Sequence, residues 1–274
     1  MRLVHRSVVL IMTALSASIV SLPAEAGTVR VESSETMPVR LIFEAELGET
    51  NQVQLTKTGK ASFTVSDSGA PLTALGGCVA SDPHTAICGH EFHVSFISVR
   101  LRDLADSALI AVDMSPFVDL NGGGGNDRLV VRGAHTPTTI GGGGNDLIRL
   151  RDTRYGTAAG GGGDDRLEGS ARNDVLEGGR GNDLLIGGRG SDSLAGGPGD
   201  DVLKGGPGRD ILTGFNGDDV LVGGHHFDLI HGQAGDDLIL ARDRARDWIT
   251  GGPGRDRARI DPALDRINRV EVLY

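Results

Sequence analysis

From Gly160 to Leu240 the chain is nine consecutive nine-residue units without a gap: GGGGDDRLE, GSARNDVLE, GGRGNDLLI, GGRGSDSLA, GGPGDDVLK, GGPGRDILT, GFNGDDVLV, GGHHFDLIH and GQAGDDLIL. A fixed short period overrides single-residue preferences, because each unit must bury its apolar residue against its neighbours. The eighth place is aliphatic throughout: Leu167, Leu176, Leu185, Leu194, Leu203, Leu212, Leu221, Ile230 and Ile239. One such residue on a short strand builds no core alone. Stacked in parallel strands about 4.8 Å apart, it becomes one link of a continuous column. The glycines of the first places suit a tight turn that needs positive φ and close backbone approach. All but seven of the 43 glycines lie between Gly122 and Gly254, while prolines number only 10 and no G-X-Y period exists, which excludes collagen. Looser copies flank the run at 122, 141, 242 and 251.

The sixth place is Asp in all nine units. Stacking would align these carboxylates in columns at strand spacing, and their repulsion calls for cations between the rungs. Calcium suits such a column, being a hard ion that takes six to eight oxygens and accepts backbone carbonyls beside carboxylates. Acids lead bases 37 to 27, for a net charge of −10, which argues against a nucleic-acid partner.

The first 26 residues read as an export leader: Arg2, His5 and Arg6, then an apolar or small stretch from Ser7 to Val20, then Ala24-Glu25-Ala26 as the cleavage site. The mature chain is expected to begin at Gly27 and to be secreted, with no transmembrane segment left. Export makes an oxidising compartment, and an even cysteine count there favours a Cys78–Cys88 disulfide. Residues 27–121 alternate in strand fashion, as in Val39-Arg40-Leu41-Ile42-Phe43 and Phe63-Thr64-Val65, with turn residues between. They read as a small β domain pinned by the disulfide. Leu101, Ile110 and Leu120 carry the rhythm upstream of Leu129 at spacings of 9, 10 and 9, and read as calcium-free rungs joining the β domain to the roll.

The unit GGxGxDxUx resembles the RTX, or haemolysin-type, calcium-binding repeat over residues 122–259. The region before it loosely resembles those preceding such repeats in secreted bacterial calcium-binding proteins of unknown role. The repeat resemblance implies an all-β fold: a parallel β-roll solenoid with two units per turn, and calcium between loops stacked on one side. The expected organisation is a leader (1–26), the small β domain (27–121), the roll (122–259) and a C-terminal cap (260–274). With two units per turn, loops beginning at 122, 141, 160, 178, 196, 214, 232 and 251 share one edge, each with Gly at the fourth place. Their sixth-place residues are Asp127, Asp146, Asp165, Asp183, Asp201, Asp219, Asp237 and Asp256. The opposite edge is eroded, and only Asp192 and Asp210 lie there in neighbouring complete loops. These ten aspartates are the candidate ligands of about seven or eight calcium ions. Asp247 is expected to be dispensable, since Arg242, Arg244 and Arg246 put three bases in its loop.

Catalytic signals are sparse. His90-Glu91-Phe92-His93 is one residue short of a zinc-protease H-E-x-x-H and sits in a strand-patterned run. His225-His226, near His231, reads either as a transition-metal site or as a degenerate calcium loop with exposed imidazoles. No G-x-S-x-G, phosphate loop or dinucleotide fingerprint stands in the right setting. The expected function is therefore an exported, non-enzymatic calcium-binding protein that folds on calcium and serves as a surface, matrix or adhesion element. The alternative is a secreted calcium-dependent hydrolase or other enzyme carrying the roll as an accessory module. Side chains at places seven and nine point away from the core column. Ile186, Val202, Ile211, Val220, Val222, Leu229 and Leu240 then form an outer aliphatic strip suited to a partner such as a cell-surface or matrix ligand, to self-association or to the N-terminal domain folding over it.

Overall fold

The computed structural model describes residues 27–34, 37–58, 62–75, 78–89, 94–113 and 116–272. The leader and the run from His90 to His93 lie outside the described residues. Every regular element described is a strand. They form two sheets of 13 and 14 strands, in which successive rungs alternate from one sheet to the other. In the first sheet Leu176 pairs with Leu194, Leu194 with Leu212, and Leu212 with Ile230, all in parallel register. In the second, Leu167 pairs with Leu185, Leu185 with Leu203, and Leu203 with Leu221. The eighth-place residues thus form two facing columns, fully buried from Leu167 to Ile239. This is the parallel β-solenoid that the nine-residue period requires.

Both sheets continue upstream of the repeats. Met37–Glu44, Phe96–Arg100 and Phe117–Gly124 are parallel neighbours in the first sheet. Gln52–Lys57, Ser107–Ala111 and Arg128–Arg132 are parallel neighbours in the second. Leu101, Ile110, Leu120 and Leu129 are fully buried in the same core as Phe43 and Leu55. The N-terminal edge of the stack is closed by antiparallel pairing. Gly27–Ser34 lies on Met37–Glu44, and Ser62–Asp67 lies between Gln52–Lys57 and Thr85–Gly89. Cys78 and Cys88 face each other across the outermost pair and are disulfide-bonded. The first sheet then ends on Leu72–Leu75, parallel to Gly27–Ser34, and the second on Cys78–Asp82, both short strands.

The outer apolar residues divide between two faces. Leu184, Val202, Val220 and Leu238 are consecutive partners on the second sheet, beside Ile186, Val222 and Leu240, and all seven are half-buried. Ile211 and Leu229 pair with one another on the first sheet, on the opposite side of the molecule. The single strip expected from the sequence is corrected to two, because alternate units enter alternate sheets.

Candidate metal centre

Each loop of the first edge joins a strand of the first sheet to one of the second, shaped by glycines at its first and fourth places and, except at Phe215 and Gln233, at its second. At the second and fourth places the backbone is left-handed, as at Gly197 (φ +128°) and Gly199 (φ +143°). A Cβ at either would lie 2.0 Å from the carbonyl oxygen of Gly179 or Gly181 in the preceding loop. The first place is different. A Cβ on Gly196 would sit 2.2 Å from Oδ2 of Asp201 and 2.8 Å from the carbonyl oxygen of Gly214 in the next loop. Two oxygens thus converge on the space that the missing side chain leaves open, close to the 2.3–2.6 Å range of calcium–oxygen contacts.

The aspartates do two jobs. Oδ1 of each accepts the main-chain N–H of the corresponding residue one turn earlier. Asp165 N–H donates to Asp183 at 2.7 Å, and Asp183 N–H to Asp201 at 2.8 Å. Asp201 N–H in turn donates to Asp219 at 2.8 Å. The other oxygen has nothing. Oδ2 of Asp127, Asp146, Asp165, Asp183, Asp201, Asp219, Asp237 and Asp256 is buried without a hydrogen-bond partner. An anion in that position is strongly disfavoured unless a cation meets it. Burial accordingly pushes the carboxyls of Asp127, Asp165, Asp201 and Asp219 up to about 7, their ladder bonds opposing the shift and neighbouring aspartates adding to it. No group of three or more His, Cys, Asp or Glu side chains converges among the described residues. A cation between these loops therefore takes most of its oxygens from the main chain. The orphaned carboxylate oxygens and the open first-place cradles fit calcium.

Residues 119–132, 159–194, 195–224 and 227–243 match the RTX calcium-binding nonapeptide repeat. The solenoid built on these residues is an RTX-type β-roll. No curated protein matches the chain.

The structure brings all ten candidate aspartates of the RTX loops into two ladders. The eight of the first edge occupy one; Asp192 and Asp210 share the other with Asp174, Asp228, Asp247 and Asp265. This second ladder closes at both ends on the protein itself. Asp174 accepts from Gly156 N–H and Ser170 N–H, and Asp265 from Asp247 N–H and Asp261 N–H. Only Asp192, Asp210, Asp228 and Asp247 keep an orphaned Oδ2 on this edge. Asp228 was missed by sequence because the His225-His226 pair breaks its motif. Its first-place Gly223 leaves an opening beside Asp228, where a Cβ would lie 2.5 Å from Oδ2 and 3.0 Å from Ile230 Cδ1.

Asp247 needs a correction. It is 1% exposed and accepts the Asp228 N–H at 2.8 Å, so it is part of the framework. Among the described residues, Arg242, Arg244 and Arg246 make no ion pair with it. Carboxylates order this eroded loop: Asp243 accepts from His226 and Ala245 N–H, and Asp261 accepts from Asp243 N–H. This loop is one residue longer, and the buried Ala241, following Leu240 as Gly223 follows its partner Val222, puts a Cβ where the other loops have their first-place glycine.

The first edge also reaches further upstream than its glycines. Arg102 (φ +81°) and Leu104 (φ +65°) take the left-handed places in the turn before 122, and Asp106 carries the ladder on to Asn51. Leu101 stands at its first place and fills the cradle. A second, exposed ladder runs along the same edge through the fifth places. Asn182 Oδ1 accepts from Asp200 N–H, Asp200 Oδ1 from Asp218 N–H, and Asp218 Oδ1 from Asp236 N–H. The recurring Asn or Asp at that place was the available signal.

Proposed function

We propose that this chain is an exported, non-enzymatic calcium-binding protein whose roll forms on calcium outside the cytoplasm and serves as a surface, matrix or adhesion element. The observation that carries the reading is the column of buried, unpartnered carboxylate oxygens along the first edge. Asp127, Asp146, Asp165, Asp183, Asp201, Asp219, Asp237 and Asp256 would hold calcium there, with carbonyls of adjoining loops. Asp192 and Asp210 would do so on the second edge, and Asp228 adds an interval there that the sequence did not indicate. Bound calcium supplies the positive charge that offsets the aspartate columns. The ladder bonds then lock each loop to the next, and the glycines let the main chain turn its carbonyls inward. A low-calcium cytoplasm would leave the roll unformed, which suits a protein that crosses a membrane before folding. The Cys78–Cys88 bridge and the leader pattern support an extracellular site.

The test is circular dichroism of residues 27–274 during calcium titration, with bound ions counted by calorimetry. A cooperative gain of strand signal on calcium is expected. A strand spectrum indifferent to chelator would sink the reading.

A further inference from the structure

A groove of about 800 Å³ crosses the first sheet beside the first edge. It spans the strands Gly156–Gly162, Asp174–Arg180, Ser193–Pro198 and Ile211–Asn216. Its floor is glycine-rich main chain. At one end stands Phe215, 41% exposed, at φ +84°. The equivalent residues in the two preceding rungs are Gly179 (φ +116°) and Gly197 (φ +128°), where the backbone is free to be left-handed. The next rung has Gln233 (φ +77°) at this place, and Phe215 carries the one aromatic ring among these four equivalents, at a left-handed position that L side chains rarely adopt. Retained strain of this kind clusters at binding sites. Glu177, Arg180 and Asn216 line the same groove with exposed side chains, and none makes a side-chain hydrogen bond or ion pair among the described residues.

We infer that this groove binds an extended, uncharged β-linked oligosaccharide, with a sugar ring stacked on Phe215 and hydroxyls met by Glu177, Arg180 and Asn216. An aromatic face beside an unpaired carboxylate, guanidinium and amide is the chemistry that recognises hydroxylated rings. One charge of each sign favours a neutral chain. The rings of such a chain recur at a spacing close to that of stacked strands, about 4.8 Å, so one ring can meet each rung. A peptide added as a strand has no place here, because each floor strand is hydrogen-bonded to its sequential neighbours in the sheet. The acidic chain disfavours nucleic acid.

Two variants test this without threatening the fold. Phe215→Gly removes the ring and relieves the strain. Gly162→Leu fills the groove at a position where a Cβ meets nothing within 4 Å, and where the paired residue one rung on is Arg180. Titration calorimetry of the calcium-loaded protein with cellohexaose, laminarihexaose and chitohexaose should give binding with at least one of them. Both variants should weaken it by about tenfold or more, with strand signal, calcium stoichiometry and melting temperature kept or raised. The inference is overturned if none of the three sugars binds the parent, or if both variants bind as the parent does. The strand and calcium readouts report separately on the calcium reading, so loss of sugar binding alone leaves that reading standing.

Discussion

The two edges of the roll are built from the same unit and have diverged. On the first, each RTX loop from 122 to 251 keeps its first-place glycine, its fourth-place glycine and its aspartate. Orphaned carboxylate oxygens run its whole length, and the fifth places tie successive loops by an outer ladder. On the second, the inner ladder survives but is closed by protein donors at Asp174 and Asp265. The outer ladder there shrinks to Ser191 N–H on Asn173, because the later fifth places are Arg209 and Phe227. Arg209 lies over the Phe227 ring, 5.1 Å from its centre, and Phe227 meets Trp248 edge-on. The difference teaches that the aspartate has two separable roles. Oδ1 is an element of the scaffold, needed wherever loops stack. Oδ2 is the cation's share where the first place is glycine and leaves room beside it; Asp106 and Asp247 also keep an orphaned Oδ2, but beside the buried Leu101 and Ala241.

Removing calcium should have the largest effect. With chelator, the eight orphaned positions of the first edge repel, and the strands of residues 122–259 should unfold together, read as loss of strand signal and of amide protection. Protection confined to the second-edge loops after chelation would show that the edges fold independently.

The next effect is on pH, in the calcium-free chain. Asp127, Asp165, Asp201 and Asp219 have their folded-state values raised from 3.8 to about 7 by burial. The folded state then binds more protons than the unfolded one between these values. The stability they contribute is full below the unfolded value and is lost as pH rises through about 7. The calcium-free chain, unfolded at about pH 8, should therefore regain strand signal as pH falls to about 5, whereas with excess calcium the strand signal should be stronger at about pH 8, since its ligands must be deprotonated. The same order with and without calcium would detach these aspartates from the metal.

Single substitutions sharpen the contrast further. Asp201→Ala should destabilise the calcium-loaded protein by ~3 kcal/mol or more, having removed a ligand and orphaned the Asp183 N–H. Asp201→Asn keeps an acceptor for that N–H but not the charge. It should lose calcium stoichiometry but cost the calcium-loaded protein less stability than Asp201→Ala does. Asp247→Ala should cost ~1–2 kcal/mol through the ladder bond alone, and Asp247→Asn close to nothing, with calcium stoichiometry intact in both. A calcium loss in Asp247→Asn, measured by calorimetry, would erase the distinction drawn from Ala241.

The smallest effect belongs to the outer ladder. Asn182→Ala removes the acceptor for Asp200 N–H and should cost ~1 kcal/mol. Arg209→Ala, at the same place on the second edge, should stay within ~0.5 kcal/mol. Equal melting shifts for the two would show that the exposed ladder contributes nothing.

The sequence by itself determined the stacked eighth-place column and the aspartates worth testing, because one aliphatic residue per nine builds a core only by stacking on its neighbours. The resemblance to RTX repeats supplied the roll with two units per turn, and with it the assignment of loops to edges. Tertiary structure alone decided the rest, because it depends on what lies one turn away. The ladder bonds join residues 18 or 19 apart, as at Asp127 and Asp146, and no local motif encodes them. Stacking holds Arg102 and Leu104 left-handed without glycine, since the ladder from Asn51 through Asp106 to Asp127 has already set the path of that turn. Stacking also brought Asp228 and Asp247 into line from loops whose motifs are lost, and split one apolar strip between two faces. A period in the sequence fixes which residues repeat; only the contact between successive turns fixes what each repeated atom is given to bind.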